Sequence, residues 1–214
     1  EIKYMTAKEE DILTNQNYIQ NGTVIDKLLK SLIVTKFNYE ELLIGDKNAI
    51  MIASRILGYG AEYKFTYNGK EEVADLSKID NKPFDESLIT KGINEFSFKL
   101  PSSDNDITFK FLTHGDESKI NQELEGLKKL GKEGSPELTT RLKYVVTSIN
   151  GDRTTKLIRE FIDEAFLARD ARAFREYIGK VQPDVDLTFF PESSTKSITL
   201  PIGISFFWPD VDLG

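Results

Sequence analysis

The sequence predicts an α+β fold, in which a helical body carries two or three small antiparallel β-hairpins. In two long stretches the apolar residues recur at close to the helical period of 3.6, and in two others at close to the strand period of 2. Polar turn residues separate the alternating runs, as expected of hairpins. Of the 214 residues, 39% are apolar, which is enough for a packed core.

Helices are predicted throughout residues 1–61, the first of four sections. In "TAKEED", Thr6 and Glu9 have the spacing of a reciprocal N-terminal cap. One apolar stripe predicts a second helix and consists of Val24, Ile25, Leu28, Leu29 and Leu32. A third helix is predicted to start at Asp46 and to stop at Gly58 or Gly60. Its inward face is predicted to consist of Ala49, Ile50, Ala53, Ile56 and Leu57.

Strands are predicted in residues 62–115, the second section. "YKFTYNGKEEVADL" alternates through Tyr63, Phe65 and Tyr67, turns at Asn68-Gly69, and returns through Val73. "NEFSFKLPSSDNDITFKFLT" repeats this pattern across a polar loop. Its two facing apolar sets are Phe96, Phe98 and Leu100, and Ile107, Phe109 and Phe111. Two hairpins therefore follow the first helices.

Residues 116–182, the third section, return to the helical period. One helix is predicted from about Asp116, and the next has Ser135 as its cap and Pro136 in its first turn. The apolar positions of that second helix are Leu138, Leu142, Val145, Val146 and Ile149. "KLIREFIDEAF" and "ARDARAFREYIGKV" predict two more helices.

The fourth section, residues 183–214, is predicted to be a C-terminal β-hairpin followed by an aromatic tail. Alternating Val185, Leu187 and Phe189 face a second set of Ile198, Leu200 and Ile202 across the loop "PESSTK". Linkers between the four sections are short and none is of low complexity. We therefore expect one compact unit.

Composition excludes several classes of function. The net charge of −7 opposes a primary role on nucleic acid or on an anionic membrane, both of which require basic surface. The sequence has no cysteine, and so no disulfide, thiol nucleophile or cysteine-based zinc site. Asp104 and Asp106 have the spacing of a calcium loop but lack its glycine and distal glutamate, which favours a solvated turn. No cofactor or metal is predicted.

The single histidine, His114, is the strongest candidate for catalysis. With Asp116 or Glu117 it could form a histidine–carboxylate pair for acid–base work, as in a hydrolase. The same residues are typical of a helix start, with acidic groups near the positive end of its dipole. The helix start is the favoured interpretation, and no enzymatic activity is predicted.

Two groups of residues are candidates for binding a partner. Arg169, Arg172 and Arg175 place three guanidinium groups within seven residues of an acidic chain, which suits carboxylates on a neighbouring subunit. The alternative is a solvated helix face paired with Glu160, Asp163 and Glu164. Near the C-terminus, Phe206, Phe207 and Trp208 either bury inside the chain or form an exposed anchor of the kind found in interface hot spots.

Six ordered blocks of the sequence resemble a known family. They are "MTAKEEDILT", "IGDKNAIMIASRILGYGAEY", "FKFLTHGDE", "LTTRLKYVVTSINGD", "ARDARAFREYI" and "LPIGISFFWPD". Their order and spacing, from about Tyr4 to Asp210, closely resemble the baseplate hub protein family of T-even-like contractile-tailed bacteriophages. The resemblance implies a non-catalytic structural or assembly protein of the tail baseplate hub, made in the infected bacterial cytoplasm. Its expected partners are other baseplate and hub proteins, with further copies of the chain as an additional option.

Two departures from the family pattern matter. Many relatives carry paired cysteines in the hairpin turns that match "TYNGKEE" and "TFFPESSTKS", which implies a zinc-ribbon-like clasp. Here those turns have no thiolate, and we expect Tyr63, Phe65, Phe189 and Ile198 to hold the two hairpins together instead. The chain also starts at Glu1, without the short segment that precedes the first block in relatives, so we expect residues upstream of it. Two other functions remain open: an assembly chaperone absent from the virion, and an unrelated cysteine-free binding module.

Overall fold

The structure is a computed structural model that describes residues 1–130 and 136–207. Its helices are α1 (Ala7–Leu13), α2 (Gln16–Gln20), α3 (Val24–Leu32), α4 (Ile44–Tyr59), α5 (His114–Lys129), α6 (Glu137–Val145), α7 (Thr155–Glu160) and α8 (Ala168–Val181). Its strands are β1 (Glu62–Tyr67), β2 (Lys70–Asp75), β3 (Phe96–Lys99), β4 (Asp106–Phe109), β5 (Val146–Ile149), β6 (Thr188–Phe189) and β7 (Ile198–Thr199). All pairing between these strands is antiparallel. The predicted α+β class is confirmed.

The chain forms two compact units, and each is built from separate stretches of sequence. The first contains residues 1–37, 45–82 and 184–207, and the second contains residues 38–44, 83–130 and 136–183. This grouping differs from the single unit of four consecutive sections that the short linkers indicated. The reason is that the terminal hairpin returns to pack with the first helices and the first hairpin, which no local pattern reveals.

In the first unit, α1 starts where the sequence predicts. The Glu9 carboxylate accepts hydrogen bonds from the backbone N–H of Thr6 at 3.0 Å and from its hydroxyl at 2.7 Å. Although this carboxylate is fully buried, it also contacts Lys3 Nζ at 2.8 Å and Ser31 Oγ at 2.7 Å. The Lys3 contact, followed by those of Thr6, holds the pKa of Glu9 well below its ordinary value. The cap therefore also ties α1 to α3.

Helix α4 ends as predicted, but its buried face differs. Its last residue is Tyr59, and Gly60 follows with a φ of +85° that favours glycine. Leu57, predicted to face inward, is 38% exposed, while Arg55 is only 1% exposed. The prediction treated a charged side chain as an outward one. Arg55 is buried because backbone carbonyl groups satisfy its guanidinium.

The β1–β2 hairpin has the predicted two-residue turn, with positive φ at both Asn68 and Gly69. Its register pairs Phe65 with Glu72, which places them on the same face. Val73 therefore points away from the core and is 49% exposed, while Glu72 is 4% exposed. The turn itself enforces this arrangement, because pairing Tyr67 with Lys70 fixes every later pair.

The second unit is built on a three-stranded sheet of order β3-β4-β5. The two strands predicted to face each other do pair, and the register joins Phe96 to Phe109 and Phe98 to Ile107. Helices α5 to α8 complete the unit, and α7 continues into a π-helical turn at Phe161–Ala165. The core of this unit consists of Leu100, Ile107, Phe109, Phe111, Leu142, Val145, Val146, Ile149, Ile158, Ile162, Phe174 and Val181.

Strand β5 was not predicted. The sequence pattern extended the helix through Val146 and Ile149, whereas α6 ends at Val145 and residues 146–149 pair with β4. The β-branched residues in this stretch favour a strand once an edge is available. Ser135, the predicted cap of this helix, lies outside the described residues, and Pro136 takes the cap position.

Candidate protein-interaction surface

Helix α8 carries the three predicted arginines, and its opposite side is anchored in the second unit. Phe174 is fully buried, and its ring lies 5.1 Å from that of Phe109 and 5.5 Å from that of Phe98. Tyr177, one turn further on, stacks on Phe98 at 4.7 Å. These aromatic contacts fix the rotation of α8 about its axis.

A buried carboxylate fixes the first turn of the same helix. Asp170 is fully buried and accepts the backbone N–H groups of Ser102 at 2.7 Å and Ser103 at 3.0 Å, in the turn between β3 and β4. Burial acts to raise the pKa of Asp170, but the hydrogen bonds from Ser103 and Ser102 outweigh it and keep the pKa below its ordinary value. Nothing in the local sequence around Asp170 indicates this contact, because Ser102 and Ser103 lie 68 and 67 residues earlier in the chain.

The outward side of α8 presents Arg169, Arg172 and Arg175, which we call the arginine surface. All three are exposed, and their spacing of three residues puts successive guanidinium groups about one turn apart. Leu167, at the start of the helix, is also 50% exposed. Arginine beside an exposed apolar side chain is typical of protein interfaces.

Within the described structure, the three arginines of α8 do not pair with the acidic residues expected for a solvated helix face. Arg172 Nε contacts Glu176 Oε1 at 2.9 Å, and Arg175 Nε donates to the carbonyl of Ala171 at 3.2 Å. The expected acidic partners pair elsewhere, Asp163 with Lys143 at 2.7 Å and Glu160 with Lys156 at 3.6 Å. Among the described residues, Arg169 and Arg175 form no ion pair. Arg172 above all, and Arg175 more weakly, lower the pKa of Glu176, so one carboxylate faces three guanidinium groups and the surface keeps an excess of positive charge for an outside partner.

The C-terminal aromatic run has a different role in the structure. Phe206 and Phe207 are both fully buried in the first unit, and the ring of Phe206 lies 4.8 Å from that of Tyr63. These two residues form core, so their predicted role as an exposed partner anchor is wrong. Trp208 lies outside the described residues.

Arg55 holds this buried segment to the rest of the first unit. Its Nε donates to the carbonyl of Phe206 at 2.8 Å, and its other two nitrogens donate to Gly60 at 2.8 Å and to Glu62 at 3.0 Å. The planar fork of a guanidinium suits three separate carbonyl acceptors. Sequence reasoning missed Arg55 because nothing in its local spacing indicates that Phe206, 151 residues further on, covers it and accepts its third hydrogen bond.

The two hairpins of the first unit contact one another without cysteine. The rings of Phe65 and Phe189 lie 5.3 Å apart. Beside them, the Glu72 carboxylate accepts the backbone N–H of Glu192 at 3.0 Å and that of Ser193 at 3.2 Å, together with the Ser193 hydroxyl. The Ser193 hydroxyl in particular lowers the pKa of Glu72. Hydrogen bonds and aromatic packing therefore join the two turns.

The candidate acid–base pair is occupied by structural contacts. His114 starts α5, is 8% exposed, and packs edge-on against Tyr39 with ring centroids 4.7 Å apart. Asp116 accepts the backbone N–H of Thr113 at 3.1 Å, and both of its oxygens lie 2.7 Å from Lys110 Nζ. This is the capping arrangement that the favoured interpretation of these residues requires.

Among the described residues, no cluster of three or more histidine, cysteine or acidic side chains could hold a metal ion. Asp104 lies in the β3–β4 turn with a φ of +59° and contacts Lys99 at 3.0 Å. Within the same residues, no helix combines the length and the apolar character needed to cross a membrane.

The arginine surface thus remains the best-positioned candidate for binding a partner. It is held rigidly by Phe174 and Asp170, and its charges are mostly unused within the described chain. In comparisons with known proteins, no protein-family model matches the chain, and neither a curated protein nor a solved structure matches it.

Proposed function

We propose that the protein is a structural or assembly component of a bacteriophage tail baseplate hub and acts through protein–protein interfaces. The six ordered sequence blocks support the choice of family. They imply synthesis in the host bacterial cytoplasm and a final position in the baseplate of the virion tail. Its partners are other baseplate and hub proteins.

The observation that carries an interaction role is the arginine surface of α8. Arg169, Arg172 and Arg175 are exposed on a helix whose other side is locked into the core of its unit. A partner that offers carboxylates would form charge-assisted, bidentate contacts with them. The net charge of −7 opposes nucleic acid as the partner, which requires an extended basic surface, so carboxylates on another protein are the favoured partner of this local group of arginines.

A pull-down from a lysate of phage-infected cells tests the proposal. The bait is the full chain with an N-terminal tag, and mass spectrometry identifies both the bound proteins and the proteins of purified virions. We expect baseplate or hub proteins among the bound set and the chain itself in virions. Binding to the same proteins without any trace in virions would make the chain an assembly chaperone. If no tail protein bound, the proposal would fail.

Charge-removal variants connect the result to α8. In one variant Arg169→Gln, Arg172→Gln and Arg175→Gln are combined, which removes three positive charges from one surface. A matched variant removes three exposed lysine charges elsewhere, through Lys8→Gln, Lys36→Gln and Lys119→Gln. We expect the first to lose the hub proteins and the second to retain them. Equal retention by both would remove α8 from the interface.

A further inference from the structure

A cavity of about 400 Å³ lies beside β2 in the first unit. Its lining includes Val73, Asp75, Lys78, Asp80, Asp186 and Phe189. Three consecutive residues of β2 contribute to the lining, and none of the lining residues comes from β1. The cavity therefore lies along the side of β2 that faces away from its partner strand. Its volume is within the range of ordinary binding sites.

The backbone of β2 points hydrogen-bonding groups towards this side. In an antiparallel pair, residues alternate between those bonded to the partner strand and those whose N–H and C=O point outward. Leu76 N–H donates to the carbonyl of Ala61 at 2.8 Å, so by alternation Ala74 and Glu72 also bond to β1. Val73 and Asp75 must then direct their N–H and C=O groups outward. In the described structure, β2 pairs only with β1.

The side chains around the cavity combine an apolar wall with negative charge. Val73, Phe189 and Leu200 supply the apolar wall, and Val73 is 49% exposed. Asp75, Asp80 and Asp186 supply three carboxylates, all on exposed residues, against the single ammonium group of Lys78. Lys78 contacts Asp75 at 3.3 Å. The Asp186 carboxylate accepts the backbone N–H of Thr188 at 3.0 Å and lies within the electrostatic reach of Lys82, so the lining keeps an excess of negative charge of which Asp80 is the least compensated part.

We propose that an extended, basic segment of another protein docks in this cavity by adding a strand to the free edge of β2. Backbone hydrogen bonds to Val73 and Asp75 would hold the segment, and alternate side chains would reach the apolar wall and the carboxylates. Lysine or arginine at the positions of the segment that face the carboxylates complements the negative charge of the lining. The cavity is negatively charged and lies in the first unit, whereas the arginine surface is positively charged and lies in the second. The inference is therefore independent of the proposed function.

Charge complementarity also distinguishes this occupant from two others. The C-terminal residues of the chain, "WPDVDLG", contain Asp210 and Asp212 and no basic residue. They would add negative charge to a cavity that already carries an excess of it. A second copy of the chain carries a net charge of −7, and its arginine surface belongs to the helix α8, which cannot add a strand to β2. A basic segment from a different protein meets neither difficulty.

Nuclear magnetic resonance on the ¹⁵N-labelled full chain tests the inference. The probe is a synthetic peptide of about eight residues, enough for one strand, in which lysine and valine alternate and both ends are blocked. We expect it to shift the amide signals of Val73, Asp75 and Phe189. A peptide with glutamate in place of lysine serves as the control and is expected to shift none of them. Shifts by both peptides, or by neither, would overturn the proposal.

Two variants make the result specific. Asp80→Asn with Asp186→Asn removes two charges at constant shape, and we expect peptide affinity to fall roughly threefold per charge and about tenfold in total. Glu125→Gln with Glu164→Gln changes net charge equally in the second unit, and we expect affinity to stay unchanged. An equal loss of peptide affinity in both variants would mean that the peptide responds to the net charge of the chain and not to the cavity, and would overturn the proposal. Shifts that grow with protein concentration alone would assign the edge to a second copy and would also overturn it.

Discussion

Replacing Arg55 with lysine tests whether a buried guanidinium holds the C-terminal segment in the first unit. The substitution keeps the charge and most of the length of the side chain but removes the planar fork. Arginine donates here to the carbonyls of Phe206, Gly60 and Glu62. A lysine ammonium is a compact group, and from the path of this side chain it reaches one of those three separated acceptors at a time.

The expected cost follows from the lost hydrogen bonds. Hydrogen bonds to charged groups contribute about 1.5–3 kcal/mol each. Arg55 is 1% exposed, so water replaces few of them. Loss of two of the three should therefore lower the free energy of unfolding by about 3 kcal/mol or more. Since domains are stable by only about 5–15 kcal/mol, this loss is a large part of the total.

Urea denaturation followed by circular dichroism measures the free energy, and hydrogen exchange of peptides that contain Phe206 localises the effect. Arg172→Lys is the matched control, because Arg172 is exposed and its ion pair with Glu176 lies at the surface. We expect that control to stay within about 0.5 kcal/mol of wild type. A change of similarly small size for Arg55→Lys, with no faster exchange around Phe206, would refute the reasoning.

Two further predictions concern the same unit. Phe206→Ala removes a fully buried ring and should lower the free energy of unfolding by about 3–5 kcal/mol. Phe190→Ala, at a residue 71% exposed, should change that free energy by less than about 0.5 kcal/mol. Equal effects of the two variants in urea denaturation would contradict the assignment of Phe206 to the core. Hydrogen bonding from Ser193 holds the pKa of Glu72 in the folded protein below the ordinary value of 4.5. The Glu72 carboxylate therefore contributes its full stabilisation at a pH above 4.5, and this stabilisation is lost as the pH falls through the pKa of the folded protein. The difference in urea midpoint between wild type and Glu72→Gln should therefore be largest near neutral pH and shrink below pH 4.5, and a difference independent of pH would disprove the role of the carboxylate.

Local features of the sequence were sufficient to predict most elements. The cap formed by Thr6 and Glu9, the turn at Asn68-Gly69 and the hairpin of β3 with β4 all appear in the structure as the sequence indicates. Each depends on residues close together in the chain or on a period that a short window reveals. The inward position of Glu72 could also be predicted from the sequence, because a two-residue turn fixes the register of the two strands that it joins.

The boundary between α6 and β5 could not be predicted in the same way. Val145, Val146 and Ile149 satisfy a helical stripe and are equally suited to a buried strand. The exposed edge of β4 decides the outcome, because pairing with Val146–Ile149 satisfies backbone groups on both strands. That edge is supplied by residues about 40 positions earlier in the chain.

The sequence by itself determined that the chain is an α+β protein, that it has no cysteine chemistry, and that an apolar run lies near its C-terminus. Only the tertiary structure decided that Phe206 and Phe207 are core and that the arginines of α8 face outward. Arg55 and Phe206 are 151 residues apart, and Asp170 lies 68 residues from the turn that it caps. Local periodicity carries no information about such contacts, because burial depends on which distant groups complete the hydrogen bonds and fill the space around a side chain.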